Sequence, residues 1–156
     1  MNLDGLVTQD KAESGEWFPV ELYGKPADFD LLILGDDSDT VTRFNREAMK
    51  KLKGAVAKEK NGKGEEFDDE TIDAMFDSNE ESVLVRIAGI RGWKRERDKK
   101  GKVVSETPEP VTLNGKELKN DKESFKLLIT KIPAIKEFVL GKARDRANFL
   151  SGPSGN

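Results

Sequence analysis

The sequence predicts an α+β fold, in which an N-terminal β-hairpin packs on a mainly α-helical domain of about four helices. Two runs of aromatic, β-branched and other apolar residues lie within residues 16–34, on either side of a Gly-Lys-Pro turn, which is typical of a hairpin. Further along the chain, apolar residues recur at spacings of three and four, which indicates amphipathic helices. The length of 156 residues suits a single domain.

The hairpin of residues 16–34 begins with the strand EWFPVELY. Pro19 has no amide hydrogen to donate to a neighbouring strand, so this strand is expected at the edge of its sheet. The second strand runs from Phe29 to Leu34 and ends at Gly35. Because an isolated hairpin is only marginally stable in water, we expect the long helix that follows to cover it.

That helix is predicted at about residues 38–60. Asp37, Ser38 or Asp39 caps it by accepting hydrogen bonds from its first free amides. Its apolar residues form one narrow stripe, and the rest of the helix is strongly basic. The stripe consists of Val41, Phe44, Ala48, Leu52 and Ala55.

Three further helices are predicted, at about residues 68–91, 121–132 and 133–150. The first half of the helix at 68–91 is acidic, so we expect it to lie antiparallel to the basic helix. Asn120 or Asp121 caps the next helix, and Pro133 suits the first turn of the last one.

The remaining segments are predicted to be less regular. Residues 102–104 form a short strand, residues 105–110 a mobile spacer, and the Asn-Gly pair at 114–115 a hairpin-like turn. Residues 1–15 and 151–156 are polar and without pattern, so we expect flexible tails there.

The composition excludes several classes of chemistry. Charged residues make up 37% of the chain, well above the usual value of about 25%, yet the net charge is only -3. The chain contains no cysteine and no histidine, which excludes thiol catalysis, Ser-His-Asp hydrolysis and thiolate or imidazole metal sites. These features predict a protein that is not an enzyme, with no cofactor and no metal. The N-terminal stretch lacks the basic start and apolar block of a signal peptide, and no apolar run is long enough for a membrane span, so we expect a soluble cytoplasmic protein.

Two acidic clusters resemble sites at first inspection. Asp36, Asp37 and Asp39 begin a stretch with the length of a calcium loop, but Val41 stands where such a loop needs glycine, and helix capping is favoured instead. The carboxylates at residues 68–73 have the spacing of a paired-carboxylate site. Acids are also ordinary in the first turn of a helix, which is the favoured interpretation.

A basic run extends from Arg91 to Lys102. It is a candidate nucleic-acid contact, with Trp93 stacking on a base. The interspersed acids and the net acidic charge favour a solvated turn, with Trp93 as a core residue. Nucleic acid is therefore not the expected partner.

The chain resembles a family of small tailed-phage proteins, the tail assembly chaperones that are encoded just before the tape measure protein. The resemblance begins with the hairpin and the segment LGDDSDTVTRFNRE from Leu34. It continues through scattered positions in the second half of the chain and covers most of residues 16–150. The later positions are Ile90, Gly92, Trp93, Leu127, Leu128, Pro133, Ile135, Arg146, Asn148, Phe149 and Leu150.

This resemblance implies a protein that binds the tape measure protein, keeps its apolar helices soluble and helps the major tail protein polymerise. It also implies a location in the cytoplasm of the infected bacterial host. A chaperone of this kind is expected to present an apolar helix groove, mainly from the last two helices. The predicted partner-binding residues are Trp93, Phe125, Phe138, Phe149 and Leu150, and the phenylalanines are equally good core candidates.

Two alternatives stay open on the residues alone. One is a structural virion component, such as a tail-tube or head–tail connector protein. The other is a nucleic-acid-binding regulator, which would bind in a salt-dependent manner. The helical faces and the hairpin edge are also compatible with a homo-oligomer.

Overall fold

The computed structural model describes residues 1–60 and 79–150, and it is an α+β fold with an N-terminal hairpin, as the sequence predicts. The strands are β1 (Glu16–Leu22), β2 (Lys25–Ile33), β3 (Ile87–Arg97), β4 (Val103–Glu109), β5 (Thr112–Leu113) and β6 (Lys116–Glu117). The helices are α1 (Gln9–Ser14), α2 (Asp39–Lys60), α3 (described over 79–84), α4 (Lys122–Lys131) and α5 (Ala134–Arg144), with 3-10 helices at Asp4–Leu6 and Arg146–Phe149.

The first four strands form one antiparallel sheet in the order β1-β2-β3-β4. Tyr23 and Gly24 join β1 to β2, and both have positive φ, as a type I′ hairpin turn requires. The strand β1 with Pro19 lies at the edge of the sheet, which confirms the prediction. Asn114 and Gly115 make the same kind of turn between β5 and β6, as the sequence predicts.

The predicted helix at 68–91 is wrong at its end. Residues 79–84 are helical, residues 68–78 lie outside the described part, and Ile87–Arg97 is the strand β3. β3 pairs with β2 on one side and with β4 on the other. The residues predicted to form a mobile spacer, 105–110, mostly belong to β4. β3 and β4 form because their backbones hydrogen-bond to strands that are distant in the sequence. The intrinsic conformational preferences of their own residues do not predict this pairing.

The core lies between one face of the sheet and the helices α4 and α5. Phe29, Leu31 and Ile33 point into it from β2, and burying each such side chain contributes about 1.5–3 kcal/mol. Asp121 caps α4 by accepting a hydrogen bond of 2.7 Å from the Ser124 amide, which confirms the predicted cap. The largest fully buried contributions from the helices are Leu128, Ile129, Ile135, Val139 and Phe149.

The expected N-terminal tail is wrong for residues 9–14, which form α1. Ala12 is fully buried, and its carbonyl accepts a 2.9 Å hydrogen bond from the Gly35 amide. A Cβ atom on Gly35 would lie 2.7 Å from the Ala12 side chain and 3.0 Å from the Phe149 ring, so only glycine permits this close approach. Ala12 is the only buried residue of α1, and a single alanine gives no periodic apolar signal in the sequence. The predicted tail at 151–156 lies outside the described residues.

The helix α2 has the predicted limits, and Ser38 caps it by accepting a hydrogen bond of 3.2 Å from the Val41 amide. Its predicted packing on the hairpin is wrong, because α5 contacts β1 and β2 instead. Val41 is buried, but the side chains of residues 42–54 are exposed or half-buried. The antiparallel partner predicted for α2 starts in the undescribed segment. Over the ranges described, no helix, α2 included, is long and apolar enough to cross a membrane.

Candidate functional site

The predicted partner-binding residues do not form one surface. Phe125 and Phe149 are buried in the core, and Phe149 packs edge-on against Phe18 with ring centroids 6.1 Å apart. Phe138 is half-buried against the same core, and Leu150 is 41% exposed at the end of the chain. The groove expected between the last two helices is therefore filled by their own side chains. Trp93 alone lies on the other side of the sheet, where it has different neighbours.

The face of the sheet opposite α4 and α5 carries a cluster that we name the tryptophan–arginine face. Side chains alternate between the two faces of a strand, so Arg91, Trp93 and Arg95 all project to this side of β3. Strand pairing sets Arg91 directly beside Asp30 on β2. The face consists of Trp17, Asp30, Arg91, Trp93 and Arg95.

The Arg91 guanidinium lies between the two tryptophans. Its Cζ atom is 4.2 Å from the Trp17 ring centroid and 5.4 Å from the Trp93 centroid. Each such cation–π contact contributes about 0.5–1 kcal/mol at a partly exposed position. Trp17 reaches over Gly89, where an added Cβ atom would lie 3.0 Å from the indole ring. The missing side chain of Gly89 thus makes room for the stack.

Asp30 is the buried anchor of this face, with only 5% of its surface exposed. Its Oδ2 atom accepts hydrogen bonds of 2.9 Å from Arg91 Nε and from Trp93 Nε1. Its Oδ1 atom lies 3.5 Å from Nη2 of Arg95, an ion pair without hydrogen-bond geometry. One carboxylate therefore fixes the orientation of an arginine and a tryptophan, which is the arrangement of a preorganised surface.

The charges on this side of the sheet are balanced. A bulge in β2 opposite β1 includes Asp28, whose φ of 58° is in the left-handed region. This conformation lets Asp28 pair with Arg97 and Arg95, and Arg95 also pairs with Glu106 at 2.8 Å. The hydrogen bond from Arg97 lowers the pKa of Asp28 below its ordinary value. Since each arginine has a carboxylate partner, the face carries no strong net field for a charged ligand.

A shallow depression of about 300 Å³ adjoins the face. Trp93 and Arg95 form one wall, and the segment after β4 forms the other with Pro110 and Val111. Its lining is mixed, with Phe29 and Val111 among charged side chains. The depression borders the tryptophan–arginine face at Trp93 and Arg95.

The acidic cluster at 36–39 is structural. Asp36 pairs with Arg86 at 2.9 Å, Asp37 accepts hydrogen bonds from Arg146 and Thr8, and the Asp39 carboxylate accepts one from Gln9. The three carboxylates tie the start of α2 to three other segments, and the predicted cap of the helix is Ser38. Among the residues that the structure describes, no group of three or more potential ligands is placed to hold a metal ion. The carboxylates at 68–73 lie outside the described residues.

The basic run from Arg91 to Lys102 is a strand followed by a turn, not a turn throughout. The interpretation of this run as a solvated turn makes Trp93 a core residue, whereas it is half-buried on the sheet face opposite α4 and α5. Sequence reasoning missed Trp17, Asp30 and Arg91 as members of a common surface. The alternation of Arg91, Trp93 and Arg95 was the available signal, since it has the period of a strand rather than of a helix.

Comparison with known proteins adds no relative. No protein-family model matches the chain, and no curated protein or solved structure matches it either.

Proposed function

We propose that this chain is a tail assembly chaperone of a tailed phage, which binds the tape measure protein through the tryptophan–arginine face and catalyses no reaction. In this proposal it keeps the apolar helices of the tape measure protein soluble in the cytoplasm of the infected host. It also assists polymerisation of the major tail protein. The family resemblance of the sequence supports the partner, and the geometry of the face supports the binding surface.

The observation that carries the proposal is the Trp17–Arg91–Trp93 stack on a sheet face that no described helix covers. Tryptophan and arginine are the residues most enriched among those that dominate binding energy at protein interfaces. Here the Asp30 carboxylate already orients Arg91 and Trp93, so little side-chain entropy is lost when a partner binds.

The same face supports an apolar helix as the bound element. Domains bury the apolar side of a sheet under helices, and α4 and α5 do this on the opposite face. A helix of the partner would complete a third layer on the indole rings. The charges of Arg91, Arg95 and Arg97 are balanced by carboxylates on this chain, so the partner need not supply charge.

Co-expression with the tape measure protein tests the proposal. The wild-type chain is expected to keep the tape measure protein in the soluble fraction. The double variant Trp17→Ala/Trp93→Ala is expected to lose this effect, with an affinity for a tape measure fragment reduced roughly 30-fold or more, as for interface residues that dominate binding. Tyr23→Ala is the matched control, because Tyr23 is 84% exposed in the β1–β2 turn and lies off the face.

Equal insolubility of the tape measure protein with and without the chain would contradict the proposal. Circular dichroism of the double variant must retain the wild-type spectrum, so that lost binding is not lost folding. Mass spectrometry of purified particles distinguishes the chaperone from a structural virion component. Only the structural component is expected to be present in the finished virion. Salt-dependent DNA or RNA binding that survives Tyr23→Ala but not Arg91→Ala would favour the nucleic-acid regulator.

A further inference from the structure

The exposed side of α2 carries a straight row of positive charge. Arg43, Arg46, Lys50 and Lys53 follow one another at spacings of three, four and three, which places them on one side of the helix. All four are exposed, and the buried Val41 lies on the opposite side. We name these four residues the cationic stripe. It extends over about 15 Å of helix at 1.5 Å per residue.

The described part of the chain compensates the stripe only at one end, where hydrogen bonds from Thr40 and the charge of Arg43 lower the pKa of the Glu13 carboxyl. None of its four members forms an ion pair with a described carboxylate. Over residues 42–54, Glu47 is the single acid against five basic residues. This differs from the tryptophan–arginine face, where each arginine has a carboxylate partner. A surface with uncompensated charge of one sign attracts a partner of the opposite sign.

An exposed apolar residue accompanies the charges. Met49 is 53% exposed. It lies three residues after Arg46 and four residues before Lys53, which places it along the edge of the stripe. Leu52, 37% exposed, lies on the adjoining side. A nucleic-acid backbone offers no apolar surface to cover Met49. The exposed apolar area is also small for insertion into a membrane, since Phe44 and Ala48 are half-buried.

We propose that the cationic stripe of α2 is a docking site for an acidic amphipathic helix of a partner protein. Carboxylates at spacings of three and four on that helix would pair with Arg43, Arg46, Lys50 and Lys53, and an apolar residue between them would cover Met49. Exposed ion pairs are individually weak, so affinity comes from the match of several in register. The proposal uses a surface distinct from the tryptophan–arginine face and does not depend on the proposed function.

The test uses the full chain and a synthetic amphipathic peptide of about 20 residues, long enough to span the stripe, with glutamates on one side and leucines beside them. A peptide of the same composition in shuffled order is the comparison. Fluorescence anisotropy is expected to give roughly tenfold tighter binding for the ordered peptide at low salt, weakening as salt is raised. A short DNA duplex and anionic lipid vesicles are measured in parallel.

The variant Arg46→Glu/Lys50→Glu is expected to lose roughly tenfold in affinity for the ordered peptide. Met49→Ala is expected to weaken binding equally at low and high salt, because it removes apolar contact only. The control is Lys126→Glu/Lys131→Glu on α4, which makes the same change in net charge at exposed positions away from the stripe. It is expected to bind like the wild type.

Circular dichroism of both double variants checks that helicity is kept, and Arg46→Gln/Lys50→Gln provides a milder second variant. Three results would overturn the proposal: equal binding of the ordered and shuffled peptides, unchanged binding by both stripe variants, or tighter binding of the duplex or the vesicles than of the ordered peptide. None of them bears on the Trp17→Ala/Trp93→Ala experiment, so the two proposals fail separately.

Discussion

The two faces of the sheet use the same strands for different purposes. On the covered face, Leu31 and Ile90 pack under α4 and α5 with almost no exposed surface. On the open face, their chain neighbours Asp30 and Arg91 form an ion pair at 2.9 Å beneath the indole rings. A period of two along each strand separates an apolar core from a polar, aromatic surface. The covered face supplies stability, and none of the described helices packs on the open face.

Residue type alone does not predict which face of the sheet a large side chain occupies. Phe125 and Phe149 were predicted to bind a partner because they are large and apolar, and they are core residues. The sequence predicts Trp93 both as a core residue and as a partner-binding residue, and it lies half-buried on the open face. On an antiparallel sheet, successive side chains point to opposite faces, so a residue's position in this alternation decides its environment. The alternation can be assigned only after the segment has been recognised as a strand.

The largest expected effect is on the covered face. Phe149→Ala removes a ring that is 99% buried against Phe18 and Gly35, since only 1% of the residue is exposed. It is expected to lower the free energy of unfolding by about 3–5 kcal/mol, through lost burial and the cavity left behind. Urea unfolding followed by circular dichroism measures this. The neighbouring Leu150→Ala, at a position that is 41% exposed, serves as control and is expected to change stability by about 0.5 kcal/mol or less.

If Phe149→Ala and Leu150→Ala lower the free energy of unfolding by the same amount, Phe149 is not a core residue and Leu150 is not a surface residue in the sense proposed. A loss of tape measure binding by Phe149→Ala at unchanged stability would return Phe149 to the binding surface. Either result would remove the distinction drawn between the two faces.

An intermediate effect is expected at Asp30, the one buried carboxylate of the open face among the described residues. Asp30→Ala leaves the Nε atom of Arg91 and the Nε1 atom of Trp93 without their acceptor. The expected cost is about 1–3 kcal/mol in the free energy of unfolding, typical of a donor left unsatisfied in a partly buried position. Near-ultraviolet circular dichroism is expected to change as well, because Trp93 loses its fixed orientation.

The control for Asp30 is Glu106→Ala, which removes an exposed carboxylate from the same ion-pair network. Exposed ion pairs contribute about 0–1 kcal/mol, so this change is expected to be smaller. An Asp30→Ala variant with wild-type stability and an unchanged aromatic spectrum would mean that the face is not organised by its buried carboxylate.

Local rules predicted the parts of the fold that depend on neighbours in sequence. The Asn-Gly turn, the edge position of Pro19 and the Asp121 cap each follow from the chemistry of one or two residues, and all three are confirmed. The limits of α2 follow from its regular apolar spacing and are also confirmed. Each of these features is signalled by residues that lie close together in the sequence.

Long-range features were not predictable in the same way. Ile87 and Ile90 fit a helical spacing as well as a strand, and pairing with β2 decides between them. The tryptophan–arginine stack joins Trp17 of β1 to Arg91 of β3, so it exists only when β2 lies between those strands. α1 is held by contacts with residues distant in sequence, such as that of Ala12 with Gly35 and that of Gln9 with Asp39. In each case, contacts with residues distant in the sequence determine the structure, and a short stretch of sequence does not contain them.

The smallest expected effect concerns Asp37, which joins the two ends of the described chain away from both faces. Its carboxylate accepts a 2.9 Å hydrogen bond from Arg146 Nε and one of 2.7 Å from Thr8 Oγ1. These bonds, that from Arg146 foremost, lower the pKa of Asp37 below its ordinary value of 3.8. As pH falls, the unfolded chain therefore binds this proton before the folded chain does. The stabilisation is present above the ordinary pKa and is lost as pH falls through the lowered one.

Asp37→Asn is accordingly expected to flatten part of the loss of stability that occurs as the pH falls below the ordinary pKa of an aspartate, as urea midpoints at a series of pH values would measure. It leaves the contributions of Asp28 and Asp121, whose pKa values are lowered by hydrogen bonds from Arg97 and from the Ser124 amide. Asp10→Asn makes the same charge change at an exposed site of α1 and is the control. If both variants lose stability in acid as steeply as the wild type, the contact of Asp37 with Arg146 does not stabilise the fold. Since Arg146 is 76% exposed, this contact is weaker than any on the two sheet faces, and its loss is expected to leave both the core and the stack intact.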